Sequence, residues 1–179
     1  MKKISLLALM LSLGLALNAQ KLKTRSGYVK FFSDAAVEDI SAENKQVSSI
    51  INLENGEFAF LAPIKAFEFE KALMQEHFNE NYMESGKFPK AIFKGKIEGY
   101  EQIDLSKDGS YTLVFTGIMT IHGVEQKIEQ KVMMNVKGGK ASAEAEFMLK
   151  CSDYEIEIPS AKADNISNEL KITVKFDYA

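Results

Sequence analysis

The stretch SYTLVFTGIMTIHGVEQKIEQKVMMNV, residues 110–136, alternates between apolar and polar side chains almost without interruption. Successive side chains of a β-strand point to opposite faces, so the pattern predicts strands with one apolar and one polar face. His122 and Gly123 interrupt the alternation and supply a tight turn. The stretch therefore predicts a β-hairpin whose apolar face either packs into an ordinary core or lines a cavity.

The same alternation recurs along most of the chain. The other predicted strands are SGYVKFF, QVSSIINL, GEFAFLAPIKAF after an Asn55-Gly56 turn, AIFKGKIEGY, KASAEAEFMLKC and ELKITVKFDY. Together with the hairpin they make about eight long strands. Long, few and steadily alternating strands favour a closed sheet over a two-sheet sandwich, because closure removes exposed strand edges. We therefore predict an all-β fold, an eight-stranded antiparallel barrel.

One segment departs from the β pattern. FEKALMQEHFNENYM, residues 69–83, is rich in helix formers and lacks Gly and Pro. Met74, Phe78 and Tyr82 lie on one stripe at four-residue spacing, as in an amphipathic helix. The segment predicts one inserted helix that covers an end of the barrel.

Residues 1–19 have the features of a secretory signal peptide. A basic start is followed by a short apolar run and by a small residue, Ala19, at the expected cleavage site. Cleavage there leaves residues 20–179 as a single domain, and we expect a periplasmic or secreted protein. The apolar run is short for a membrane span and no later stretch approaches that length, so we expect no stable membrane anchor.

The charge balance and the cysteine content limit the partners. The chain has 22 basic and 25 acidic residues, and the signal peptide carries two of the lysines. This acidic balance argues against nucleic acid and against an electrostatic anchor on anionic lipid. Cys151 is the only cysteine, which excludes an internal disulfide, and its phase with apolar neighbours predicts a buried thiol. The sequence does not decide the oligomeric state, and a homodimer is left open.

The apolar face of the predicted sheet is uneven, which leaves two interpretations open. Its small residues are Gly95, Gly99, Gly117, Ala141, Ala143 and Ala145. Such residues mark bends, or they leave unfilled volume that a ligand occupies. Gln126 and Gln130 share the apolar phase, and a buried amide without a partner costs about 1–3 kcal/mol. They therefore bond to each other and to water, point outward at a bulge, or contact a polar group of a ligand.

Catalytic constellations are scarce in this sequence. Its two histidines, His77 and His122, have no Cys or carboxylate around them at metal-ligand spacing. No nucleophile elbow, phosphate loop or HExxH motif occurs. We therefore predict no metal, no cofactor and no catalytic residue. Two alternatives remain: an enzyme on a small apolar substrate with His77 or His122 as acid or base, and a filled barrel that serves as a structural module.

Two stretches together resemble the YceI-like family. They are TIHGVEQKI, residues 120–128, and FEFEKALMQEHFNENYMESGKFPKAIFKGKI, residues 67–97, in which the helix is followed by Phe88-Pro89 and a strand. The order of elements is similar over nearly the whole mature chain. The resemblance implies a lipocalin-like barrel, exported to the periplasm, that binds a polyisoprenoid or similar long lipid chain in its lumen.

We therefore predict a non-enzymatic exported carrier that sequesters or transports such an amphiphile. The residues expected to line or close the lumen are Phe58, Phe60, Met74, Phe78, Tyr82, Phe93, Ile97, Leu113, Phe115, Met119, Val132, Met134 and Phe147. Polar contacts to the ligand are expected from His122, Gln126 and Gln130. If roughly ten carbons leave water at about 0.8 kcal/mol each, the gross gain of about 8 kcal/mol corresponds to roughly micromolar binding before losses of motion.

Overall fold

The computed structural model describes residues 21–178. It contains nine antiparallel strands, of which eight are long and one has two residues. They are β1 (Lys21–Ser33), β2 (Ile40–Asn52), β3 (Glu57–Pro63), β4 (Glu68–Phe69), β5 (Lys90–Glu98), β6 (Gly109–Ile121), β7 (Val124–Lys137), β8 (Lys140–Lys150) and β9 (Glu169–Tyr178). The predicted signal peptide lies outside the described residues.

The eight long strands form a closed barrel. Their order is β1-β9-β8-β7-β6-β5-β3-β2, and β2 pairs back with β1 to complete the ring. The short β4 adds to the side of β2. The predicted eight-stranded antiparallel barrel is therefore confirmed.

The hairpin of β6 and β7 is the longest continuous part of the wall. Its ladder runs without a break from Gly109, opposite Val136, to Ile121, opposite Val124. His122 (φ 52) and Gly123 (φ 80) form the turn in the left-handed region, which matches the twist of the two strands. The alternation of the sequence predicted both strands and this turn.

The helical segment is shorter than the predicted 69–83. Helix α1 spans Ala72–His77 and continues into one π-helical turn, Phe78–Tyr82. It begins late because Phe69 belongs to β4, where it pairs with Ala42. The segment lies at one end of the barrel, here called the upper end, together with residues 34–39, the β6–β7 turn and residues 151–168.

The lower half of the barrel, toward the β2–β3 and β7–β8 turns, is a filled core. Phe115 and Met134 are fully buried there. The ring of Phe58 lies 4.8 Å, centroid to centroid, from the rings of both Phe93 and Phe115. The hydroxyls of Ser49 and Tyr178 share a buried hydrogen bond of 2.7 Å. This half of the interior therefore holds its own side chains.

Two of the inward-phase glycines allow a close approach between strands. Gly95 lies opposite Gly117 on the neighbouring strands β5 and β6. A Cβ atom on Gly95 would lie 2.0 Å from the carbonyl oxygen of Thr116, and one on Gly117 would lie 2.1 Å from that of Lys94. The space beside these glycines is thus filled by backbone, so they allow β5 and β6 to approach closely and leave no volume for a ligand.

Candidate ligand-binding cavity

The upper half of the barrel encloses an apolar cavity of about 180 Å³. Every long strand contributes at least one lining residue. Among the described residues that line it, Gln130 and Glu144 are the polar ones. An apolar cavity of about 150 Å³ stays dry and holds benzene, so this one has room for roughly six to ten carbon atoms.

Several of the predicted lumen residues do line this cavity. They are Phe60, Phe78, Phe93, Met119, Val132 and Phe147, together with the amide residue Gln130. The other strand residues that were predicted to line the lumen lie deeper, in the filled lower half: Phe58, Ile97, Leu113, Phe115 and Met134. The structure thus brings part of the predicted set to one cavity and places the rest in the floor beneath it. Contact of any of them with a ligand stays a prediction.

Alanine side chains create much of the space. Ala143 and Ala145 line the cavity from β8. Ala62 and Ala91 line it from the opposite wall, where they face each other across β3 and β5. Because protein interiors are close-packed, this concentration of short side chains inside the wall leaves unfilled volume. Ala141, the lowest of the β8 alanines, is buried in the floor instead.

A cluster of aromatic rings covers the cavity at the upper end. Phe78 stacks on Phe31 with centroids 5.6 Å apart, and both contact Phe67 and Phe69. Aromatic pairs at such separations stabilise one another beyond the area they bury. The predicted closure by the helical stripe is therefore carried by Phe78, which follows α1 directly.

Beyond this aromatic cover lies a second, more polar cavity of about 200 Å³, between the helical segment and residues 151–168. Met74, His77 and Tyr82 line it and do not line the first cavity. Phe78 and Met83 contribute to both cavities and form part of the partition between them. Of the three residues on the predicted helical stripe, Met74 and Tyr82 thus lie one layer outside the apolar cavity.

The predicted polar contacts have different roles. The Nδ1 atom of His122 lies 3.3 Å from the carbonyl oxygen of Tyr154, and its Nε2 atom lies 3.0 Å from a carboxylate oxygen of Glu84. The side-chain amide of Gln126 donates to the carbonyl of Asp153 at 2.7 Å. Neither residue lines either of these two cavities, and both tie the β6–β7 hairpin to the upper loops.

The electrostatics of the upper end keep its buried groups neutral. Burial raises the pKa of the Cys151 thiol to about 11, which confirms the expected buried thiol. Burial, with a smaller effect of the Asp153 carboxylate, raises the pKa of Tyr154 to about 12. At pH 7 the Cys151 side chain is therefore a thiol and not a nucleophilic thiolate.

Two general features of residues 21–178 bear on the chemistry. Across these residues, His, Cys, Asp and Glu side chains form no group of three or more that could hold a metal ion. In the same part of the chain, no helix has the length and apolar character needed to cross a membrane.

Sequence reasoning missed part of the lining. Leu170, Ile172, Val174 and Phe176 of β9 line the cavity, and the alternation of ELKITVKFDY had already placed them on one face. Ile121 of β6 and Leu149 of β8 were also missed, although the alternation placed them on the apolar face. Others, such as Phe31 and Met83, come from a strand with weak alternation or from a helix–strand connection, where no periodic pattern identifies an inward side chain.

A closed antiparallel barrel with an apolar cavity under a partial lid is the architecture of barrels that enclose one small ligand. The profile of the YceI-like domain matches residues 20–178, and the chain belongs to this family. No curated protein sequence matches the chain closely enough to count as a relative.

Solved structures share the fold at low sequence identity. A polyisoprenoid binding domain from Saccharophagus degradans aligns with a TM-score of 0.72 and 14% identity, over 89% of this chain and 97% of that one. BcnA of Burkholderia cenocepacia aligns with a TM-score of 0.69 and 15% identity, over 86% and 96%. The YceI protein of Campylobacter jejuni aligns with a TM-score of 0.60 and 16% identity, over 76% and 82%.

Proposed function

We propose that this protein is an exported, non-enzymatic carrier that holds part of a polyisoprenoid or similar long-chain amphiphile in its barrel. The apolar cavity of the upper half carries the proposal, because a built-in space of this kind is costly unless something fills it. The fold shared with a polyisoprenoid binding domain supports the same class of ligand.

The size of the cavity sets what burial contributes. Roughly ten carbons at about 0.8 kcal/mol each give about 8 kcal/mol of gross stabilisation. Polar contacts add little, since Gln130 and Glu144 are the polar residues among the described lining. Affinity should therefore follow the length of the hydrocarbon and depend weakly on the head group.

A titration with isoprenoid alcohols tests this proposal. The protein is stripped of bound lipid and loaded with retinol, a fluorescent isoprenoid alcohol, which is then displaced by isopentenol, geraniol and farnesol. We expect displacement to strengthen with each added five-carbon unit through at least geraniol, because each unit buries more hydrocarbon. Equal displacement by all three alcohols, or no saturable binding of retinol, would overturn the proposal.

Export is tested separately. The full chain carrying a C-terminal tag is expressed in a Gram-negative host and the cell is fractionated. We expect the tagged protein in the periplasmic fraction with its N-terminus at Gln20, as the sequence of the first residues predicts. An uncleaved chain in the cytoplasm would contradict the export proposal without affecting the binding proposal.

A further inference from the structure

The pairing of β7 with β8 stops halfway up the barrel. The ladder runs from Lys137, opposite Lys140, to Met133, opposite Glu144. Above that point, residues 124–132 of β7 pair with β6 alone and residues 145–150 of β8 pair with β9 alone. The two strands are neighbours in the sheet, so the wall has a lateral gap in its upper half.

The burial of the inward side chains changes at the same level on both strands. On β7, Val132, Met134 and Val136 are buried, whereas the inward residues above them are half-buried. On β8, Ala141 and Ala143 are buried, whereas the inward residues above them are half-buried. On both strands, the change in burial thus coincides with the level at which their pairing ends.

The gap opens directly into the apolar cavity. Gln130 on β7 and Glu144 on β8 are the polar residues of the described lining, and they flank the gap on its two sides. Glu144 points to the outer face of β8 and is exposed, yet it also lines the cavity. The cavity therefore reaches the outside of the barrel at this place.

Two exposed methionines lie on the outer surface beside the gap. Met133 is 47% exposed on β7 and Met148 is 57% exposed on β8. Methionine is flexible and polarizable, and it adapts to irregular apolar partners. An apolar chain that crosses the gap would therefore contact apolar side chains outside the barrel as well as inside.

The gap differs from another interruption of the wall. Above the β2–β3 ladder, the side-chain amide of Asn44, a fully buried residue, donates to the carbonyl of Pro63 at 2.8 Å. This hydrogen bond connects β2 to the end of β3 where their backbones are no longer paired. Between β7 and β8, the bridging contact is at the top, where Gln126 donates to the carbonyl of Asp153. The gap is thus a window, bounded below by the ladder and above by this hydrogen bond.

We propose that this window between β7 and β8 is the passage through which the ligand's hydrocarbon chain enters and leaves the cavity. The inference rests on the proposed function. A polyisoprenoid longer than the cavity must extend through an opening, and the window is an opening that joins the apolar cavity directly to solvent at exposed apolar side chains. The other route, past Phe78 and Met83, leads through a layer of packed aromatic rings.

A cross-link across the window tests the passage. Lys131→Cys and Glu146→Cys place two outward-facing thiols on opposite edges, in a Cys151→Ala background so that no third thiol reacts. A short bifunctional thiol reagent joins them, and mass spectrometry verifies the bridge. Retinol association and dissociation are followed by stopped-flow fluorescence before and after bridging. We expect both rates to fall at least tenfold, because the bridge stands in the path that the hydrocarbon chain takes in both directions.

Control measurements separate the possible failures. Asn135→Cys with Ser142→Cys links the same strands where they are already paired, and its bridge should leave the rates unchanged. Unchanged rates in the bridged window variant, with retinol still bound, would overturn the passage and leave the proposed function standing. Absence of retinol binding before bridging would overturn the proposed function itself.

Hydrogen exchange of the unmodified protein gives a test that needs no variant. We expect the amides of residues 124–132 and 145–150 that point into the window to exchange much faster than those in the ladder of residues 133–137 with 140–144. Equal protection along the whole of both strands would show that the window is closed in solution and would overturn the inference.

Discussion

Filling the cavity from its wall should stabilise the empty protein and weaken binding at the same time. In Ala143→Leu, the added side chain enters space that Ala143 borders. Three extra carbons buried in existing space contribute up to about 2 kcal/mol to the free energy of unfolding. For a domain of this size, that raises the melting temperature by roughly 4–8 °C.

The same three carbons displace ligand. If they exclude three of about ten ligand carbons at about 0.8 kcal/mol each, binding loses about 2.4 kcal/mol, or about fifty-fold in affinity. Ala62→Leu on the opposite wall should behave in the same way, and Ala72→Leu on the exposed start of α1 should change neither quantity. The measurements are thermal unfolding of the lipid-free protein and retinol titration.

The two readouts together can refute the reasoning. If the upper half is filled in solution, Ala143→Leu overpacks it and lowers the free energy of unfolding by about 1–3 kcal/mol. A lower melting temperature in both Ala143→Leu and Ala62→Leu would show that the cavity is absent. A higher melting temperature with unchanged retinol affinity would show that the cavity exists and that the ligand binds elsewhere.

Other parts of the structure make independent predictions. Gly117→Ala should lower the free energy of unfolding, measured by chemical denaturation, by about 1–3 kcal/mol or more, because a Cβ there would lie 2.1 Å from a backbone oxygen. Gly86→Ala should have little effect in the same assay, because a Cβ there would have no atom within 4 Å beyond Gly86 and its chain neighbours. Tyr178→Phe should lower the free energy of unfolding, measured by urea denaturation, by about 1–3 kcal/mol, because it leaves the buried hydroxyl of Ser49 without its partner. An unchanged midpoint would contradict that hydrogen bond. Cys151 should react with a disulfide reagent about a hundredfold more slowly than an ordinary cysteine at pH 7.5, since burial raises its pKa from 9.0 to about 11. The reaction rate should increase tenfold per pH unit up to that pKa. Fast reaction of the folded protein at neutral pH would show that the thiol is exposed.

The sequence predicted the wall better than the interior. Alternation identifies which face a side chain is on, because its period matches that of a strand. It carries no information on depth along the barrel. Leu113 and Met119 have the same phase on β6, yet Leu113 is packed in the floor and Met119 lines the cavity. Small residues were equally ambiguous: Gly117 marks a close strand contact, while Ala143 borders free space.

Features that depend on pairing between distant strands could not be predicted. Phe69 continues the helical composition of its segment. It belongs to β4, however, where it pairs with Ala42 of β2, so the helix begins after it. The alternation of β7 and β8 continues unchanged above the level of Met133 and Glu144, where their pairing ends. His122 was predicted to contact a ligand, and no pattern in the sequence indicated that its two ring nitrogens face the carbonyl of Tyr154 and the Glu84 carboxylate.

The most direct test of the carrier proposal is native mass spectrometry of the protein purified from its own host without detergent, followed by organic extraction of the same sample. We predict one population at the mass of the mature chain plus a single hydrophobic molecule, and an isoprenoid or other long-chain amphiphile in the extract. The bare chain mass, an extract without such a molecule, and no adduct after farnesol is added would together contradict the proposal.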